Sequence, residues 1–225
     1  GRPMHGGPKA HSVAQALQRY AMERLAYMKG APALARDINR YLRAGYLDTL
    51  EVLELPASEG DVATQEREKA MHYPASVCIG DRYVVKLQSA HTPRVIPKGL
   101  SETCKKRITK TATSSRHREV LATTPMADVT RHQIQSMFDA MRSEGSAAAT
   151  VLKERSLLSP LFKYAKRHWR WSDPAENPVT GLKLPRLDNA RKRVMSAEEE
   201  RLLAQAMAET RNVLVEPTSR LLAQT

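Results

Sequence analysis

The chain has 225 residues, with 36 Lys or Arg against 24 Asp or Glu, a formal net charge of +12 and a pI near 9.9. That length holds one large domain or two small ones with a real core, and aromatics at only 5%, in a chain rich in Ala and Leu, favour helix packing over sheets. No apolar run approaches the roughly 20 residues needed to span a bilayer, so the positive charge points away from the membrane and towards an anionic polymer, nucleic acid first.

The opening, GRPMHGGPKA, is too polar for a signal peptide and does not begin with Met, so residues 1–10 are expected to be a disordered lead-in and the chain a fragment or one carrying added residues. Cys78 and Cys104 have neither metal-ligand spacing nor a disulfide framework and read as reduced thiols of a cytosolic protein. From His11 the pattern turns helical: Val13, Leu17, Tyr20, Leu25 and Met28 recur at three-, four- or five-residue steps, with Ser12 as cap and Lys29-Gly30 as stop. A second helix is predicted from Pro32 to Arg43, with Leu34, Ile38, Tyr41 and Leu42 inward, Arg36, Arg40 and Arg43 outward, and Gly45 as its C-terminal cap.

Residues 46–113 read differently. Leu47 to Leu55 mixes acids with β-branched residues, and Glu59 to Met71 reads as a short charged helix or a loop. Ser76 to Ile79 and Arg82 to Leu87 are strand-like runs around a Gly80-Asp81 link, which predicts a hairpin. Pro93 and Pro97 punctuate the stretch between the hairpin and Lys98. From residue 98 to 118 come Lys98, Lys105, Lys106, Arg107, Lys110, Arg116 and Arg118 against the single acid Glu102. This stretch is either a flexible basic loop or a segment whose cations, Ser and Thr contact phosphates.

Helical order returns after Met126-Ala127-Asp128-Val129, where Thr130 caps a helix carrying Ile134, Met137, Phe138 and Met141 that ends at Gly145. Residues 146–171, SAAATVLKERSLLSPLFKYAKRHWRW, organise the rest. At 100° per residue Val151, Leu158, Phe162, Ala165 and Trp169 form one stripe with Leu161 beside it, while Lys163, Lys166, Arg167 and Arg170 occupy an arc roughly 130° away. Lys153 and Arg155 extend the basic character towards the helix start, and Glu154 is the lone acid between 150 and 171. Such a surface suits a phosphate backbone, and it is equally what an ordinary solvated helix face looks like. Pro160 predicts a kink, or a break with Ser159-Pro160 as N-cap and first residue of a new helix.

Asp173 to Pro178 is a turn cluster, and residues 179–195 form an extended basic linker with Lys183, Arg186, Arg191, Lys192 and Arg193. Ser196 and Glu199 make a capping box for a helix with Leu202, Leu203, Ala206 and Met207 on its apolar face, and a last short helix is expected after Glu216-Pro217. Glu198 to Glu200 suit that helix start through its dipole, so no metal site is expected there. His117, His132 and His168 stand in helical or basic surroundings that fit structural or phosphate-contacting roles rather than catalysis.

This order of features resembles the core-binding region of tyrosine recombinases, the phage-integrase type of site-specific recombinase. The family's T-V-x-x-E/R-x-x-x-L-S-x-L-F-x-Y-A helix, then Trp or Ile, then an E/D-N-P turn, is matched by Thr150-Val151, Leu158-Ser159, Leu161-Phe162, Tyr164-Ala165, Trp171 and Glu176-Asn177-Pro178. Met126 to Thr130 is similar to the family's lead-in to the preceding helix, Arg193 to Glu199 to the R-x-L-T/S-x-E-E start of its catalytic domain, and Tyr20 to Arg43 to its first two helices. The likeness covers about 120–203 well and 11–45 moderately; it is absent over 46–113, which therefore reads as an insertion. Pro160 stands where the family commonly has a small helix former.

The resemblance implies a mainly α, SAM-like core-binding domain over 11–178 with a partly β or irregular insertion at 46–113, a basic linker over 179–195, and the start of a truncated catalytic domain over 196–225. It implies clasping of double-stranded DNA at an attachment or recombination site, with no metal and no cofactor. Family members cut DNA with a tyrosine that forms a phosphotyrosine link, assisted by arginines, a lysine and histidines. The T-G-x-R-x-x-E box is missing and Tyr164 belongs to the core-binding motif, so this chain is expected to bind DNA without cutting it, while a full-length parent would cleave and rejoin. The expected DNA contacts are Lys163, Lys166, Arg167 and Arg170, with Lys153 and Arg155 nearer the helix start, Arg191, Lys192 and Arg193 on the linker, and Arg116, Arg118 and Arg131 more peripheral. A monomer is expected for this chain, a tetramer on DNA for the parent, and a bacterial or phage-encoded, cytoplasmic, nucleoid-associated setting. Two other function classes stand beside this one: a stand-alone nucleic-acid-binding regulator, and a protein-interaction module that uses the 46–113 insertion.

Overall fold

The computed structural model describes residues 6–55, 77–80, 82–89, 98–187 and 196–208. The readings at Gly1 to His5, Glu59 to Met71, Pro93, Pro97, Arg191 to Arg193 and beyond Pro217 lie outside them. Chain contacts divide the protein into two units, residues 1–186 and 187–225.

The first unit is mainly helical with one small antiparallel sheet. Helix α1 (Val13–Arg24) begins at Ser12, whose hydroxyl accepts from Gln15 N while the Gln15 side chain accepts from Ser12 N, a complete capping box. It gives way to a 3₁₀ turn at Leu25–Tyr27, so the helix stops one turn before the predicted Lys29-Gly30. Helix α2 (Ala31–Ala44) takes Pro32 in its first turn and buries Ile38, Tyr41 and Leu42 as expected. Gly45 is its C-cap as expected, at φ −91° and with its N–H on Tyr41 O, and Tyr46 beyond it takes the left-handed backbone at φ +57°, with Leu47 N donating to Leu42 O.

Strands β1 (Thr49–Glu54), β2 (Val77–Ile79) and β3 (Tyr83–Gln88) form the sheet in the order β1-β3-β2. The predicted hairpin is β2–β3, with Ile79 opposite Val84 and Gly80 N bonded to Tyr83 O. Gly80 is required by packing: a Cβ there would run into the Ala26 carbonyl. Strand β1 pairs with β3 from Thr49↔Gln88 to Glu54↔Tyr83. The buried Asn39 side chain fastens β1 to α2, donating to Leu50 O at 2.8 Å and accepting from Leu50 N at 2.7 Å.

Residues 98–123, read from sequence as a basic loop or phosphate-contacting segment up to Arg118, are helical. A 3₁₀ turn at Lys98–Leu100 leads into α3 (Ser101–Lys110) and α4 (Ala112–Thr123). Helix α5 (Arg131–Ser143) opens with a second capping box, Thr130 with Gln133, buries Ile134, Met137, Phe138 and Met141, and ends at Gly145 at φ +77° with Ser146 N on Met141 O. Replacing Thr130 by Ala is expected to lower stability by about 1 kcal/mol in urea unfolding, the usual cost of an N-cap.

Helix α6 (Ala148–His168) runs unbroken through Pro160. Pro160 is exposed, and the carbonyl its ring deprives of a partner belongs to the exposed Ser156, where solvent contact makes the loss tolerable; no second helix starts there. The buried face of α6 is wider than the predicted stripe: it holds Val151, Leu158, Leu161, Phe162 and Ala165, but also Glu154 and Leu157. That width comes from its position, packed against α1, α2 and α5 at once. Beyond α6 the 173–178 turn folds back, with Asn177 Nδ2 donating to the Ser159 carbonyl and hydroxyl oxygens. Val179 is buried, and Gln135 exchanges two hydrogen bonds with the Lys183 backbone. In the second unit, α7 (Ala197–Ala208) carries the predicted Ser196–Glu199 capping box, and Leu202 and Leu203 are exposed.

Candidate nucleic-acid interface

Lys163, Lys166 and Arg167 are exposed on α6, opposite the face that joins the core. Arg170 is exposed just past the helix end, where it takes a left-handed backbone at φ +58°. The 173–177 turn gathers part of this charge. Lys166 Nζ donates to Ala175 O at 2.8 Å, and Arg131 at the start of α5 stands 3.8 Å from Glu176 Oε2. Between helix and turn lies a groove of about 410 Å³, to whose lining Lys163, Lys166, Trp171, Glu176 and Asn177 contribute. Glu176 is nearly fully exposed, so its long pair with Arg131 contributes little.

The end of α6 that bears this charge is held on α1 by an aromatic stack. Tyr164 packs against Tyr20, His168 and Trp169, and Trp169 against Trp171. Arg19 lies 4.4 Å over the Trp169 ring, and Glu23 accepts from both Arg19 Nε and Trp169 Nε1. Partial burial works to raise the Glu23 pKa, but the bonds from Arg19 and Trp169 outweigh it and hold the carboxyl below its ordinary 4.5. A lowered carboxyl stabilises the fold fully above the ordinary value and loses that contribution as pH falls through the folded one. Tryptophan fluorescence is therefore expected to shift in acid below about pH 4.5. The same transition should be missing from Glu23→Gln.

The other predicted contacts are placed differently. Arg155 and Arg116 are exposed on α6 and α4. Lys153 is exposed but its Nζ lies 2.9 Å from Asp37 Oδ2. Arg118 is a correction: only 8% exposed, it is a core residue and no surface cation. Its Nη2 donates to Glu154 Oε1 at 3.0 Å, and the same oxygen pairs with Arg40 Nη1 at 3.1 Å, so Arg40 also departs from its predicted outward pose. Tyr41 donates to Glu154 Oε2 at 2.9 Å, and Arg40 continues to Asp37 at 3.0 Å. Glu154 itself is fully buried. Burial alone would depress the Arg118 guanidinium; the Glu154 carboxylate more than offsets it and raises its pKa. Burial, reinforced by Glu154, pushes the Tyr41 phenol well above 10.

Sequence reasoning missed this hub, though a signal was present. Glu154 falls three residues after Val151 and four before Leu158, on the apolar side of its own helix, and a carboxylate there requires cationic partners from neighbouring elements. No group of three or more His, Cys, Asp or Glu among the described residues is arranged to hold a metal ion, and none of the described helices is long and apolar enough to cross a membrane. Comparison with family models, with curated proteins and with solved structures found no match to the chain.

Proposed function

We propose that this chain binds duplex DNA through the exposed side of α6, as the core-binding part of a tyrosine recombinase. The observation that supports this most is the exposure of Lys163, Lys166 and Arg167 on one side of a helix whose other side is anchored in the core, with Arg131 and Arg170 flanking them. Cations on a helix packed into the core meet phosphates with only their side chains left to order, and they position the protein rather than read sequence. The SAM-like character, the role of the catalytic-domain start in 196–225 and the absence of strand cleavage by this chain belong to the same proposal. Arg155 and Arg116 are secondary contacts, Lys153 is shared with Asp37, and Arg191, Lys192 and Arg193 are contacts carried by the linker. Arg118, buried on Glu154, is not part of the α6 surface.

The test is fluorescence anisotropy of a labelled short duplex titrated with the chain at several salt concentrations. Binding is expected to weaken along a log–log slope of several units. A chain that does not bind duplex at low salt is not a DNA-binding protein of this kind.

A further inference from the structure

A second cationic recess lies at the other end of α6. Arg40 and Arg43 of α2, Ser115 and Arg118 of α4, Ser146, and Thr150 in the first turn of α6 line a groove of about 480 Å³. Thirteen residues separate Thr150 from Lys163, about 20 Å along the helix at 1.5 Å per residue, and the two point roughly 140° apart around it. The recess is therefore distinct from the Lys163, Lys166 and Arg167 surface, although Arg116 and Lys153, secondary contacts above, adjoin it.

Its charge is not balanced from within. The single Glu154 oxygen Oε1 serves both Arg40 and Arg118, and Asp37 is shared between Arg40 and Lys153. Arg43 is exposed and makes no ion pair among the described residues. Arg118, which contributes to the lining, is fixed on Glu154 through Nη2, and its Nε is buried with no hydrogen-bond partner. Glu144 caps α4 by accepting from Ser114 N, so that amide is already committed and the remaining donors are side chains; Glu144 Oε2 is itself buried without a hydrogen-bond partner and sets one negative charge beside the three arginines of the groove.

We propose that this groove seats a phosphate group. Arg43 is its mobile charged ligand, the hydroxyls of Ser115, Ser146 and Thr150 are neutral donors, and Arg118, held by Glu154, is the fixed positive wall. A tetrahedral oxyanion matches several donors converging in a recess whose cations exceed its carboxylates. The phosphate belongs either to a nucleic-acid backbone or to a small phosphate, and the two sources are separable because the site does not depend on the α6 surface.

The experiment is carried out on the full chain. Amide resonances of Ser115, Ser146 and Thr150 are followed while inorganic phosphate is added against chloride of equal ionic strength, in wild type and in Arg43→Gln. Duplex binding is measured in parallel across salt, with Thr150→Val as a second, uncharged variant. Amides that move with phosphate in wild type and not in Arg43→Gln establish the seat. If Arg43→Gln also reduces the log–log salt slope by about one, the phosphate is a backbone diester; if the slope is unchanged, it is a small phosphate. A slope reduced by about one without an inorganic-phosphate response establishes a backbone-only seat. No phosphate-specific shift together with an unchanged slope overturns the proposal, whatever the α6 variants do to DNA binding.

Discussion

Replacing Glu154 by Ala is expected to lower the unfolding free energy by about 3–5 kcal/mol, read from the midpoint of urea unfolding at constant m. The carboxylate is fully buried and is the common acceptor of Arg118, Arg40 and Tyr41. Without it the buried Arg118 guanidinium has no counter-charge, and the Tyr41 hydroxyl is left with Met137 Sδ at 3.7 Å. The cost is that of an orphaned charge rather than the net worth of the pairs, and this distinction can be measured. Tyr41→Phe alone should cost less, about 1.5–3 kcal/mol for one bond to a charged group. Combining Tyr41→Phe, Arg118→Met and Glu154→Leu should recover most of the loss, since no buried charge then lacks a partner. A Glu154→Ala variant within about 1 kcal/mol of wild type would show that the hub is solvated and that α2, α4 and α6 are held by apolar contacts alone.

Changing Lys163, Lys166, Arg167 and Arg170 together to Gln is expected to weaken duplex binding at least about 100-fold at low salt, because each lost phosphate contact removes one counterion-release term. The loss should be of similar size on unrelated duplexes, since contacts to the backbone position the protein without reading bases. Stability should be nearly untouched. The four side chains are exposed, and surface substitutions away from caps and buried pairs stay within about 0.5 kcal/mol. That separates this variant from Glu154→Ala, which damages the fold and should reduce DNA binding only by lowering the folded population.

Local signals carried much of the architecture. The boxes at Ser12, Thr130 and Ser196 are written in three or four adjacent residues, and each starts a helix where expected. The β2–β3 hairpin was equally legible, because its partners are a few residues apart. Strand β1 was not: its partners on β3 lie about thirty to forty residues later, and Leu53 and Glu54, both exposed, break the alternation that Leu50, Glu51 and Val52 begin. Helix α3 was missed because it has almost no apolar face, only a half-buried Ser101 and Cys104 among its Lys and Thr. Of the kink or break read at Pro160, the break does not occur, because the carbonyl left without a partner belongs to Ser156, which is exposed.

For the candidate interface, the exposure of Lys163, Lys166 and Arg167 was legible in helical periodicity, whereas the fate of Arg118 was not. Its own helix offers no clue, because the carboxylate that draws it inward is 36 residues away on α6. The Gly45 cap was legible locally, but the packing that needs a glycine there was not, since a Cβ would run into Ala14 of α1, about thirty residues earlier in the chain.

The most direct test of DNA binding by α6 is the salt dependence of duplex affinity for wild type and the Lys163, Lys166, Arg167 and Arg170 quadruple Gln variant, measured by anisotropy on one labelled duplex. DNA binding by α6 predicts a wild-type log–log slope of several units and a variant slope smaller by about three to four, at about 0.9 per contact. Equal slopes and equal affinities in the two proteins would contradict it and remove α6 as the DNA surface.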